Sequence, residues 1–283
     1  MDFAPAQRQV VCADGYRLRY LTWTPEGAPR ATLVLLNGIM SHAGWFQPLA
    51  PRLVRAGLKL VGADRRGTGL NEEDRGDAPS AKALVDDVKT ILDAERVVDA
   101  PLHLVGWCWG AVLAINVAAE HEGSFASLTL LAPGLYPTEA LHARMREQEE
   151  IRRSSPPETP CLKSPIHEDM FTTGPHLASF IAKDERRTQM FSPRFHSVMA
   201  KMGMGATLRL GQLGLPMLVV LADADLATDN ARTTRAFERL QRANVSIEHI
   251  QSAHGIQFDA PEELARLLVS WVRAERNDSR AGP

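Results

Sequence analysis

The chain has 283 residues, enough to bury one large core without staples, and its three cysteines (Cys12, Cys108, Cys161) are odd in number and lack metal-ligand spacing, which argues against a disulfide framework or a zinc cluster. The formal net charge is -2 and the lysines and arginines are scattered, so there is no footprint for nucleic acid. The opening MDFAPAQRQVV has no basic-then-apolar leader, and no apolar run approaches the ~18 residues of a membrane span, so a soluble, cytoplasmic protein is expected.

In chain order, QRQVVCA and YRLRYLTWT are alternating runs joined around Asp14-Gly15, a favoured turn pair, and predict an antiparallel hairpin. ATLVLLNG is continuous and apolar, as a strand buried on both faces reads. A loop and a helix closed by Gly57 follow, then the strand LKLVGA, then a crossover helix behind a Ser80 cap. LHLVGW predicts the next strand, the Ala-rich run from Ala111 a buried helix, and FASLTLL another strand. Alternating strand and helix argue for an α/β fold with a mostly parallel, eight-stranded sheet and helices on both faces.

The pattern breaks between residues 137 and 214. That segment is rich in Met, Arg, Ser, Pro and His, with helices expected at TEALHARMREQEEIRR, GPHLASFIAKDERRTQMF and PRFHSVMAKMGMGATLRL, and irregular chain at SSPPETPCLKSPIHED. It reads as a helical cap inserted between core segments 1–136 and 215–276, with 277–283 as a polar tail. The resumed core is LPMLVVLAD, a helix, VSIEHIQSA and a last helix.

Chemistry concentrates at Gly106-Trp107-Cys108-Trp109-Gly110, where strand passes into helix with no room for a loop. Such a turn needs glycine two residues to either side and lifts the central side chain into the open. It also sets Cys108 at a helix N-terminus, where exposed N–H groups favour an anion and so the thiolate, the form that attacks. In a parallel sheet, ligands bind beyond the carboxyl ends of the strands, which singles out Cys108, Asp225 and His254. A nucleophile needs a base within reach, and the base needs a carboxylate to fix its tautomer. Asp223 and Asp229 follow the same strand as Asp225; Asp229 suits a helix cap, and Asp223 is the reserve acid.

These residues, in the order nucleophile, acid, histidine, resemble an α/β-hydrolase, and within it the monoglyceride lipase and lysophospholipase group, of serine aminopeptidase S33 type. LNGIMSHAGWF resembles that group's loop after the third strand, with Asn37 where His is usual, and DRRGTG resembles its Asp-x-x-Gly-x-Gly turn. The resemblance spans nearly the whole chain. It implies Cys108 in place of the usual Ser, Asp225 as acid, His254 as base, and an oxyanion hole from the N–H groups of Ile39 and Trp109, with Gly38 permitting close approach to substrate. Of the flanking tryptophans, Trp107 or Trp109 is expected to shape the acyl pocket, with Gly38 and Trp107 as substrate-binding residues. His42 is read as ordering its loop, the cap histidines as peripheral, and Met199, Met202 and Met204 as cap core.

The reaction implied is hydrolysis of a carboxylic ester or thioester through an acyl-thioester enzyme, with no metal or organic cofactor and a small-molecule acyl substrate, a carrier-bound acyl thioester included. Two other readings stay open. An acyltransferase would pass the acyl group to an amine, alcohol or thiol, as cysteine in this turn occurs in both polyhydroxyalkanoate synthases and dienelactone hydrolases. A non-catalytic binding homologue would keep the pocket without the chemistry.

Overall fold

A computed structural model describes residues 3–278, so the tail expected over 277–283 lies outside the described residues beyond 278. The hairpin forms as expected: β1 (Ala6–Val11) pairs antiparallel with β2 (Arg17–Trp23). Then come β3 (Ala31–Leu36), α1 (Ala50–Arg55), β4 (Leu58–Ala63), α2 (Ala81–Glu95), β5 (Leu102–Trp107), α3 (Trp109–Glu120) and β6 (Ser127–Leu131). After the intervening segment, β9 (Met217–Ala222), α8 (Asn230–Glu238), β10 (Val245–Ile250), α9 (Ile256–Asp259) and α10 (Pro261–Asp278) complete the core. The eight core strands lie in the order β1-β2-β4-β3-β5-β6-β9-β10, parallel from β4 to β10.

The parallel strands read as apolar runs because helices cover both faces. Every residue of β3, β6 and β9 is buried. Helix α3 is apolar on all sides and buried from Trp109 to Ala118, as a helix enclosed by sheet and neighbours must be. Local sequence sets the helix starts: the Ser80 side chain accepts from Ala83 N and that of Asp229 from Arg232 N. Caps of this kind contribute about 1 kcal/mol each.

Between β6 and β9 lie α4 (Glu139–Arg146), α5 (Glu149–Ser154), β7 (Leu162–Lys163), α6 (Pro175–Lys183), β8 (Met190–Phe191) and α7 (Pro193–Leu210). Helix α7 has the expected bounds and packs on α3. Phe195, Val198, Met202, Ala206 and Leu210 recur at helical spacing and are buried, so truncating Met202 to Ala should cost about 2–5 kcal/mol.

Three expectations in this segment are corrected. The helix read over TEALHARMREQEEIRR breaks into α4 and α5 at Glu147 and Gln148. The helix read from Gly174 to Phe191 stops at Lys183, because Asp184 takes up extended backbone and commits its carboxylate to the core. The proline-rich stretch contains β7, which pairs antiparallel with β8. Propensity did not reveal it, because a two-residue strand exists only through its distant partner.

Candidate active site

Cys108 joins β5 to α3 with φ 56° and ψ −123°, a conformation that side chains with a Cβ rarely adopt. The turn is held by Cys108 N donating to Leu131 O at 3.0 Å and by Gly134 N donating to Cys108 O at 2.9 Å. Glycine is obligatory on both sides of it. A Cβ at Gly106 would lie 2.5 Å from Ala111 Cα, and one at Gly110 would lie 2.1 Å from Leu36 O. Both positions therefore let strand and helix backbones touch, which is why the five-residue pattern is readable in sequence.

Asp225 follows β9 and His254 follows β10, and the parallel pairing of these strands brings the two together. His254 Nδ1 donates to Asp225 Oδ2 at 2.8 Å, with both side chains fully buried. Asp225 also accepts from Thr228 Oγ1 and from the amides of Ala227 and Thr228, so both its oxygens are occupied. Burial works against its charge, but His254 and Thr228 override it and hold the carboxyl below its usual range. Burial likewise works against a charged His254, but Asp225 and then Cys108 raise its pKa well above that of an ordinary imidazole. With Nδ1 committed to the carboxylate, His254 Nε2 has no conventional hydrogen-bond partner, and Cys108 is the other group that acts on the ring.

The backbone of His254 is clamped as well. Its N–H donates to Met170 O, the next amide to Phe171 O, and its carbonyl accepts from Trp107 Nε1 at 3.0 Å. Trp107 therefore does not line the acyl pocket, against expectation. It is fully buried beside His254, among Trp45, Phe46 and Phe171, and acts as a support for the histidine loop. Adjacent residues around the turn point different ways, and it is Trp109 that reaches the pocket.

That pocket is a cavity of about 460 Å³ lined by Ile39, Cys108 and Trp109, and on the far side by Leu141, Met145, Leu162, Ile166, Phe191, Met199 and Met204 from the segment between β6 and β9. Its charged lining residues are Arg152, Lys163 and Arg232. Of the methionines read as cap core, only Met202 is buried against α3; Met199 and Met204 face the cavity, as do His142 and His196. Burial, with Arg152 nearby, lowers the pKa of His196. Gly38 abuts Cys108, since a Cβ there would lie 3.1 Å from Cys108 Cβ and 3.6 Å from its Sγ. Ile39 and Trp109 line the cavity together with Cys108, and among the described residues no hydrogen bond from either amide is found.

The other acidic candidates are elsewhere. Asp223 pairs with His249 Nδ1 at 2.8 Å on the exposed side of β10, and Asp229 caps α8. His42 does order its loop: its Nδ1 accepts from Gly44 N and its Nε2 donates to Asp184 Oδ2 at 2.8 Å. Trp45 Nε1 donates to the same oxygen, and Asp184 is held at about 2 although burial opposes its charge. Two residues of the site carried no signal that sequence reading used. One is Asp184, which lies inside a stretch expected to be helical. The other is Arg65, inside DRRGTG, a motif read for its aspartate and glycines; its guanidinium donates to Asn37 O, Gly38 O and Ile39 O. Cys12 is buried, and burial with Asp87 alongside pushes its thiol up to about 12. Among the described residues no three His, Cys, Asp or Glu side chains group to hold a metal, and no helix is long and apolar enough to cross a membrane.

A central, mostly parallel sheet with the Cys108 turn after β5, Asp225 after β9 and His254 after β10 has the α/β-hydrolase arrangement. Residues 27–260 match the family model of Hydrolase_4, described as serine aminopeptidase, S33, and the chain belongs to that family. It is 23% identical over 271 residues to the monoacylglycerol lipase of Mycolicibacterium smegmatis, covering 91% of this chain and 93% of that one. Over 126 residues, 44% of this chain and 42% of the relative, it is 32% identical to human monoglyceride lipase. A soluble variant of monoglyceride lipase from Saccharomyces cerevisiae superposes with a TM-score of 0.83 at 14% identity, over 97% of each chain.

Proposed function

We propose that this protein hydrolyses carboxylic esters, thioesters included, of an apolar acyl group, with Cys108 as nucleophile, His254 as base and Asp225 as its orienting acid. The observation that carries this reading is the state of His254: one ring nitrogen is fixed by a buried carboxylate and the other is unshared beside Cys108. Membership of the Hydrolase_4 family and likeness to lipases support the ester bond as target. The apolar lining of the cavity supports the acyl class.

In the first half-reaction His254 Nε2 takes the Cys108 proton and Sγ attacks the acyl carbon. The carbonyl electron pair moves to oxygen, where the Ile39 and Trp109 amides receive it; removal of a single such donor in other enzymes costs about 10²–10³ in rate. A thiolate leaves more readily than an alkoxide, so collapse toward product requires His254 to hand its proton to the alcohol oxygen as the C–O bond breaks. In the second half, His254 takes a proton from water, hydroxide adds to the thioester, and the C–S bond breaks to release the acid and restore Cys108. Asp225 holds the imidazole in register throughout.

Intact-protein mass spectrometry after brief exposure to activated acyl esters, comparing wild type with Cys108→Ala, tests this. The expected result is a wild-type adduct of acyl mass that decays in water and is absent from the variant. Turnover surviving in Cys108→Ala would overturn the assignment.

A further inference from the structure

The environment of Arg65 contains an anomaly. Its guanidinium is buried, with the residue 4% exposed, and no carboxylate forms an ion pair with it among the described residues. Its chain neighbour Asp64 is also buried, but that carboxyl accepts from the amides of Ala43 at 2.6 Å and Leu70 at 3.1 Å instead. Burial raises the pKa of Asp64 and so works against its charged form. Burial lowers Arg65 to about 10, against the opposing pull of Asp64 and Cys108, which leaves it charged at neutral pH. A buried cation that touches no carboxylate, with Asp64 and Cys108 acting on it only through space, is costly, and its Nε lacks any partner as well.

What Arg65 does contact is the turn beside Cys108. Nη1 donates to Gly38 O at 2.8 Å and to Asn37 O at 3.3 Å, and Nη2 donates to Ile39 O at 2.5 Å. Three successive carbonyls drawn to one planar fork fix the backbone of this turn, which runs so close to Cys108 that a Cβ at Gly38 would lie 3.1 Å from its Cβ. The guanidinium carbon also sits 5.0 Å from the centre of the Trp109 ring. One side chain thus contacts both residues proposed for the oxyanion hole, Ile39 through its carbonyl and Trp109 through its ring.

Counting charges explains why the side chain is a cation. With the thiolate formed and His254 protonated, Asp225, His254 and Cys108 together carry one net negative charge in a buried site. Arg65 is the buried cation on which Cys108 acts directly, with the Asp64 carboxyl acting on the same guanidinium. Accordingly, we propose that Arg65 is a positioning residue with a second, electrostatic role: it aims the oxyanion turn at the acyl carbonyl and serves as the fixed counter-cation of the Cys108 site. The turnover part of this inference rests on Cys108 as nucleophile; the charge part does not.

The experiment compares wild type, Arg65→Gln and Arg65→Lys, each checked for folding by circular dichroism. Two readouts are taken: the rate at which iodoacetamide alkylates Cys108 at neutral pH, with Cys108→Ala as the baseline for Cys12 and Cys161, and the kcat and KM for a p-nitrophenyl acyl ester. Arg65→Gln is expected to slow alkylation about tenfold and to lower kcat about 10²-fold, with KM within about threefold. Arg65→Lys keeps the charge but cannot span three carbonyls. It should alkylate at the wild-type rate while kcat falls about tenfold. A folded Arg65→Gln with wild-type alkylation and kcat overturns the proposal. If that variant does not fold, Arg65→Lys decides: normal alkylation with reduced kcat supports the proposal, and unchanged kcat or slowed alkylation overturns it. Absence of turnover in wild type would strike at Cys108 as nucleophile, while the alkylation rates would still report on the charge.

Discussion

Two buried histidine–aspartate pairs are, by distance, the same object. His254–Asp225 and His42–Asp184 are both 2.8 Å apart and both buried. They differ in the second ring nitrogen. In His42 it accepts from Gly44 N, so the ring is saturated and ties Asp184 to the core. In His254 it is unshared and beside a thiol. A buried dyad is therefore chemically ready only where one nitrogen has been left without work, and substitutions in the two pairs should separate sharply.

The largest effect is expected at His254–Asp225. Asp225→Asn should lower kcat by about 10⁴, as loss of the orienting carboxylate does in other triads, with KM nearly unchanged in steady-state ester hydrolysis. Asp184→Asn, the matching change in the other dyad, should cost less than about tenfold in kcat and appear mainly as stability. The sign of its pH dependence follows from the carboxyl's being held at about 2 against an ordinary 3.8. The stabilisation is complete above pH 4 and lost as pH falls toward 2, and amounts to about 2 kcal/mol at neutral pH. Chemical denaturation should show wild type more stable than Asp184→Asn at pH 7, with the gap closing under acid. A change in kcat as large as that of Asp225→Asn would dissolve the distinction between the dyads.

Trp107→Phe sharpens it further. It removes the hydrogen bond to His254 O together with part of a fully buried ring, and should cost about 2–4 kcal/mol. Acyl-chain preference, measured over a series of p-nitrophenyl esters, should stay as in wild type, whereas Trp109→Ala should shift it, since only Trp109 lines the cavity. The smallest effect belongs to the exposed third pair: Asp223→Asn should change stability by less than about 0.5 kcal/mol and leave turnover intact.

Legibility in sequence followed the same division. Strands, crossover helices and the Cys108 turn were readable because burial on both faces writes continuous apolar runs and because backbone contact at Gly106 and Gly110 admits nothing but glycine. Cys108 and His254 could be collected from strand ends, which a parallel sheet brings to one edge, whereas the choice of Asp225 over Asp223 and Asp229 on the same strand end came from the family resemblance. The chain between β6 and β9 resisted, since its short elements take their form from distant partners: Asp184 from His42 and Trp45, β7 from β8. Trp107 and Trp109 were indistinguishable by composition, and their opposite fates depend on which way a single turn directs them. Arg65 hid inside a motif that was visible for other reasons.

The backbone at Cys108 has an evolutionary consequence. With φ at 56° and ψ at −123°, any residue carrying a Cβ is strained there by about 1–3 kcal/mol. Between two variants that both lack the thiol, the usual ranking should invert, and Cys108→Gly should unfold at higher denaturant than Cys108→Ala. Mutational drift toward greater stability at this position leads to an inert glycine, so persistence of a side chain here requires continual selection for what it does.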